Sequence, residues 1–179
     1  VNGERLIQTN ASTINKYLAS GAQYNTRNQN FTKYVAVGNP NEEPDYFIAY
    51  TKSGEKMYFG NSFDSKIVGI TGVTSFWLLK KVEDQYGNYF EYEYFNRVPN
   101  LTVQANEFYP IRIKYTGNNL LAPYCKVEFL YTNRSNPLKP QENYSGGTLQ
   151  INTKKLSEIK ISYLDTIIKQ FFITYDSSV

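Results

Sequence analysis

Trp77-Leu78-Leu79-Lys80-Lys81-Val82-Glu83-Asp84-Gln85-Tyr86-Gly87-Asn88-Tyr89-Phe90-Glu91-Tyr92-Glu93-Tyr94 is the stretch on which the fold turns. Phe76 to Val82 predicts one strand, Asp84 to Asn88 a turn, and Tyr89 to Phe95 the returning strand. The return alternates Phe90, Tyr92 and Tyr94 on one face with Tyr89, Glu91 and Glu93 on the other, the period of two that marks a half-buried strand. Gly87 supplies the positive φ of a tight hairpin and Asn88 tolerates it. Asp84 is placed to cap the turn by accepting backbone N–H bonds. Asp84, Gly87 and Asn88 are therefore expected to be structural turn residues.

The same phase recurs on both sides of this hairpin. Upstream, Tyr46 to Tyr50 and Lys56 to Gly60 flank the turn Lys52-Ser53-Gly54-Glu55. Downstream, Ile111 to Tyr115, Val127 to Tyr131, Ile159 to Tyr163 and Phe171 to Tyr175 read as strands that finish on a tyrosine, as Tyr94 does in its own strand. The intervals are unequal, so the repeat is degenerate. Residues 97–107, 116–119, 133–147 and 164–166 read as connecting turns.

Residues 1–44 are rich in Asn, Ser, Thr, Gln and Gly and are expected to form an irregular segment packed on the sheet. Within them, Ile14 to Leu18 suggests a short helical turn capped by Ser12 or Thr13, and Gly38-Asn39-Pro40-Asn41 a turn. Residues 45–179 are expected to form one β-hairpin meander, a structural domain cut from a larger protein. The expected class is all-β: antiparallel hairpins in a twisted, curved sheet or sandwich, with an irregular N-terminal segment. Such a sheet has unpaired edges that must be covered, closed or continued.

Composition agrees and excludes much. The 17 Tyr, 11 Phe and one Trp suit a pleated, half-buried surface. A net charge of +3, from 19 basic and 16 acidic residues, does not point to nucleic acid, which needs clustered cations. Lys80-Lys81 and Lys154-Lys155 read as solvated strand or turn ends. No apolar run is long enough for a membrane helix. The single Cys125 excludes an internal disulfide framework. The chain opens at Val1, so an export signal would lie upstream.

The stretch from Trp77 to Tyr94 resembles the tryptophan-leucine strand, aspartate-x-x-glycine-asparagine turn and tyrosine-rich return strand of the Salmonella virulence plasmid B protein family. That family includes the N-terminal region of insecticidal Tc-toxin B components, and its turn is related to the YD repeats of Rhs shell proteins. Gly3 to Ile7 is similar to the family's opening. Asp45-Tyr46-Phe47, Ser53-Gly54-Glu55 and Tyr58-Phe59-Gly60 follow in the family's order, as do Val127 to Arg134 and Leu156 to Ile161. Tyr175-Asp176 alone places an aspartate after a strand-final tyrosine, so a YD array is absent. The resemblance implies a section of a hollow β-shell in a large secreted or cell-surface bacterial toxin, enclosing a toxic cargo. The implied partners are the remainder of the same polypeptide and a pore-forming toxin subunit. The rival reading is a self-contained β-sandwich module for carbohydrate or a cell-surface protein.

No catalytic, cofactor-binding or metal-ligating residue is expected. The chain has no histidine, the commonest general base and a frequent zinc ligand. Cys125 thus has no histidine to activate it and reads as a structural thiol. Glu91 and Glu93 form the glutamate-x-glutamate step of ADP-ribosyltransferases, but on the outward face of an alternating strand they read as solvated. Asn41-Glu42-Glu43-Pro44-Asp45 lacks the interleaved spacing of a calcium loop. Tyr86, Tyr89 and Tyr144, in or near turns, are the candidate surface-binding aromatics. Asn-x-Ser/Thr sequons begin at Asn10, Asn30, Asn100, Asn133 and Asn143.

Overall fold

Alternating apolar and polar side chains hold most of the described residues in strands. The computed structural model describes residues 4–10, 19–28, 30–39, 42–100, 103–134, 141–145 and 147–175. Its strands are β1 (Leu6–Gln8), β2 (Gln23–Thr26), β3 (Lys33–Val37), β4 (Tyr46–Tyr50), β5 (Lys56–Phe59), β6 (Lys66–Val68), β7 (Thr74–Trp77) and β8 (Leu79–Glu83). There follow β9 (Asn88–Arg97), β10 (Glu107–Asn118), β11 (Cys125–Asn133), β12 (Gln141–Ser145), β13 (Thr148–Asn152), β14 (Lys154–Tyr163) and β15 (Thr166–Phe172). Eleven of them form one sheet in the order β1-β2-β3-β4-β5-β8-β9-β10-β11-β14-β15. Every neighbouring pair is antiparallel. The all-β meander read from the sequence is thus a single large sheet, and β6–β7 and β12–β13 are two-stranded insertions in it.

The cross-strand register explains the stacking. Tyr24, Tyr34, Ala49, Met57, Val82 and Phe90 stand opposite one another from β2 to β9. Two residues further along β9, on the same face, Tyr92 continues the row through Ile113, Val127 and Ile161. The other face carries Lys81, Glu91, Lys114 and Lys126 in one row and Glu93, Arg112, Glu128 and Lys160 in the next. One face is therefore apolar and the other charged in the second half of the sheet.

The apolar face is closed over only part of its width. Ala22, Tyr24, Tyr34, Ala36, Phe47 and Ala49 form the buried core, with Leu6, Met57, Phe59 and Trp77 packed against it. From β9 to β14 the same face is half-buried, and every residue of β15 is exposed.

Residues 1–44 hold irregular stretches between β1, β2 and β3, and these short strands extend the sheet beyond β4. The helical turn expected at Ile14 to Leu18, and Pro40-Asn41 of the expected turn, lie outside the described residues.

Several other local expectations are corrected, among them the turn over 116–119 and the tyrosine strand ends: β9, β10 and β11 run past Tyr94, Tyr115 and Tyr131 to Arg97, Asn118 and Asn133. Phe76 to Val82 is two strands, because Leu78 breaks the ladder: its N–H donates to the Ser65 carbonyl at 2.7 Å and its carbonyl accepts from Gly60 at 2.8 Å. Trp77 is thereby turned onto Phe47, ring centroids 5.1 Å apart and edge-on, with its indole N–H on the Pro44 carbonyl at 3.2 Å. Gly60, at φ +76°, is required here, since a Cβ would lie 2.9 Å from the Trp77 Cβ. The last strand ends at Phe172, so Tyr175 lies beyond it. The turn expected over 133–147 contains β12, which pairs with β13.

Candidate functional site

The two ends of the sheet are built differently. At one end the strands are joined by tight turns. Thr51 and Glu55 close the β4–β5 turn, with the Thr51 N–H on the Glu55 carbonyl at 3.0 Å and Gly54 at φ +86°. Asp84 and Asn88 close the β8–β9 turn in the same way, at 2.9 Å, with Gly87 at φ +80°. The Asp84 carboxylate accepts from the Tyr86 and Asn88 N–H groups (2.8 and 2.9 Å) and from Asn88 Nδ2 (2.8 Å). The Asn88 side-chain bond, followed by the backbone donors, holds Asp84 below its ordinary value. The three sequence-nominated turn residues are thus together.

At the opposite end, insertions brace the sheet. A single 3₁₀ turn, Phe63–Ser65, leads into β6. Its Asp64 carboxylate accepts from the Ser62 hydroxyl (2.5 Å), the Tyr94 N–H (2.9 Å) and Lys80 Nζ (3.2 Å). Burial alone would raise Asp64, but these donors outweigh it and hold the group below the ordinary aspartate value. Glu107 is buried under β13–β14, taking Arg97 Nη2 and the Thr153 N–H and O–H, all at 2.6 Å. Sequence reasoning missed both acids, because their partners lie as far as 30 and 46 residues away and no local pattern marks such a bond.

The nominated aromatics do not converge. Tyr86 is 74% exposed at the tip of its turn and Tyr144 is 73% exposed on β12, at the braced end. Tyr89 is half-buried; its ring covers Gly117 and carries Lys81 Nζ 4.1 Å from its centroid. Glu91 and Glu93 are held in ion pairs: Glu93 with Arg112 at 2.7 Å and with Lys114, and Glu91 with Lys114 at 3.9 Å. Burial would raise Glu93; Lys114, Arg112 and Lys80 outweigh it and lower it. In the acidic run, Glu43 binds the Thr74 N–H and hydroxyl, and Asp45 lies 3.9 Å from Lys66. No cluster of three or more potential metal ligands occurs among the described residues.

Two open clefts lie at the tight-turn end. One, of about 440 Å³, is lined by Arg112, Lys114 and Lys126 with Tyr124 and Asp165. Its cations are already paired with Glu93, Glu128 and Asp165. The other, of about 510 Å³, is lined by Glu55, Asp84, Asn88, Phe90, Tyr115 and Tyr124, among others. Of its lining the sequence nominated Asp84, Asn88 and Tyr89, but not the cleft itself, since its walls come from three separate connections and the strands between them.

No protein-family model and no curated protein matches the chain. Among solved structures, the fold matches the crystal structure of TcdB2-TccC3-Cdc42 at a TM-score of 0.73 and 16% identity, over 98% of this chain and 11% of that one. It matches the N-terminal domain of effector protein SpvB from Salmonella typhimurium strain LT2 at 0.71 and 14% identity, over 98% of this chain and 74% of that one. It also matches the Photorhabdus luminescens Tc holotoxin pore at 0.70 and 15% identity, over 98% of this chain and 11% of that one. The fold is that of these Tc-toxin and SpvB regions, the resemblance carried by the ordered strands and turns of the sequence. The chain spans about a ninth of the Tc structures it matches.

Proposed function

We propose that this chain is a non-catalytic structural section of a large secreted bacterial toxin assembly, a stretch of β-wall that helps to enclose or deliver a toxic cargo. One observation carries the reading: the apolar face runs from the closed core across half-covered strands to β14, and beyond it lies β15, an edge strand exposed along its whole length, with Phe171 opposite Ile159 and Lys169 opposite Ile161. An edge with Ile167, Ile168, Phe171 and Phe172 in water is a template for further pairing. The remainder of the same polypeptide is the partner that continues the sheet, and a pore-forming toxin subunit is the partner of the finished assembly. The fold match to Tc-toxin structures supports this role. Ion-paired Glu91 and Glu93 support a structural rather than a chemical use of the charged face.

The test is the size and place of the natural polypeptide. An antibody against residues 45–179, applied to cells and medium of the source, should detect a species far longer than 179 residues in the medium or at the cell surface. A species little longer than this chain, or one retained wholly inside the cell, overturns the proposal.

A further inference from the structure

The 510 Å³ cleft falls within the range of small-ligand sites, roughly 300–1,000 Å³. Register builds it from neighbouring positions. Val82 and Phe90 stand opposite each other on β8 and β9, and Tyr115 faces Cys125 on β10 and β11. The Phe90 ring is set by Tyr92 edge-on behind it, centroids 5.8 Å apart. At the rim, Tyr124 is 42% exposed and set edge-on against Tyr163 at 5.6 Å. Its backbone is fixed on both sides: its N–H donates to the Thr116 hydroxyl at 3.3 Å, and its carbonyl accepts from Leu164 at 2.9 Å. Thr116 holds φ +72° without being glycine, in the bulge between Lys114 and Gly117. The cleft therefore has aromatic walls positioned from behind.

Its polar groups select the ligand. Glu55 supplies a carboxylate at the rim, the Asp84 and Asn88 side chains being engaged in the turn and with Asn118, and no lysine or arginine lines the cleft. Phosphate and other anions would meet only like charge. A pyranose ring has a C–H face that lies on an aromatic ring and a girdle of hydroxyls that donate to carboxylates. Tyrosine, with an apolar body and a polar tip, suits both parts. The geometry points to a binding site for neutral oligosaccharide, with Tyr115 and Tyr124 as the stacking surfaces and Glu55 as an acceptor. The exposed Tyr86 and Tyr144 take no part. The site stands apart from the assembly role, because its lining is complete within this chain.

The 179-residue chain is titrated with maltotriose, cellotriose and chitotriose, and backbone amide shifts are followed by NMR. The expected result is that at least one sugar shifts the amides of Asn88, Tyr115, Gly117 and Tyr124 and leaves Tyr144 unmoved. Tyr124→Ala should weaken binding at least about tenfold with an unchanged circular dichroism spectrum, and Glu55→Gln should weaken it less. No shift with any of the three sugars at roughly 10 mM, a concentration well above ordinary weak dissociation constants, overturns the proposal. So does binding that survives both substitutions, or a response to tetramethylammonium alone, which would make the walls a cation cage. The result does not depend on the length of the natural polypeptide, so this test and the preceding one fail separately.

Discussion

The halves of the sheet use the same alternation to different ends. From β2 to β4 the inward residues are closed over: Tyr24 is 1% exposed and Ala49 fully buried. From β9 to β14 the inward residues continue the same row but are only half-buried. The second half gains cohesion instead from its other face, where Arg112 bridges Glu93 and Glu128 at 2.7 and 2.9 Å and Lys126 reaches Asp165 at 2.8 Å. Cross-strand pairs of this kind contribute about 0.2–1 kcal/mol each, far less than a filled core position. A well-formed strand pattern therefore does not imply a finished core.

Truncation of one ring in each half tests this most severely. Phe47→Ala should cost about 3–5 kcal/mol in urea denaturation, because it empties a closed core. Phe129→Ala, on the half-buried face, should cost roughly 1–2 kcal/mol, since much less area leaves water on folding. Equal losses would mean that the open face is covered in solution.

The clasp between the 3₁₀ turn and the open half comes next. Asp64→Asn should cost about 1–3 kcal/mol, by weakening the bonds to Lys80 and the Tyr94 amide. Because Asp64 is held below its unfolded value, its contribution is present above about pH 4 and is lost as pH falls through the lowered folded value. The acid limb of the stability curve should be flatter in the variant; an unchanged limb would show that the clasp does not form.

The turn that joins the halves gives a smaller effect. Gly87→Ala should cost about 1–2 kcal/mol for its left-handed backbone, and a further amount because the new methyl meets the Asn119 side chain. Gly72→Ala has a similar φ, +82°, but open space around it, so it should show the backbone cost alone. Equal thermal shifts in the two variants would remove Asn119 from the account.

The smallest change in stability is expected at the free edge. Phe172→Lys, at a residue 74% exposed, should alter stability by no more than about 0.5 kcal/mol. It should nonetheless reduce concentration-dependent association in sedimentation velocity. Unchanged association would show that β15 is not the adhesive edge.

Period-two alternation made most of the sheet legible: Tyr46 to Tyr50, the return from Lys56 and the strand after Asn88 all stand where the pattern places them. It could not show that Leu78 divides a continuous apolar run, because the cause is a bond to Ser65 and the space at Gly60. Nor could it separate β12 from a turn, since Gln141 to Ser145 is polar and pairs only with β13. The turn chemistry of Asp84, Gly87 and Asn88 was legible because it is local. The cleft was not: Glu55 and Tyr124 come to line one cleft through strand order, which composition does not encode.

The β-bulges add parity to this design. A ladder with one side chain up and the next down is a binary count, and each bulge shifts that count by one residue. Such shifts occur between Tyr58 and Phe59, Pro110 and Arg112, Lys114 and Gly117, Leu130 and Tyr131, and Ile161 and Ser162. Single-residue insertions in the long strands therefore invert every side chain downstream unless a bulge absorbs them, whereas paired insertions leave the faces intact. A strand paired onto β15 must match its phase in the same way to keep the apolar and charged faces apart.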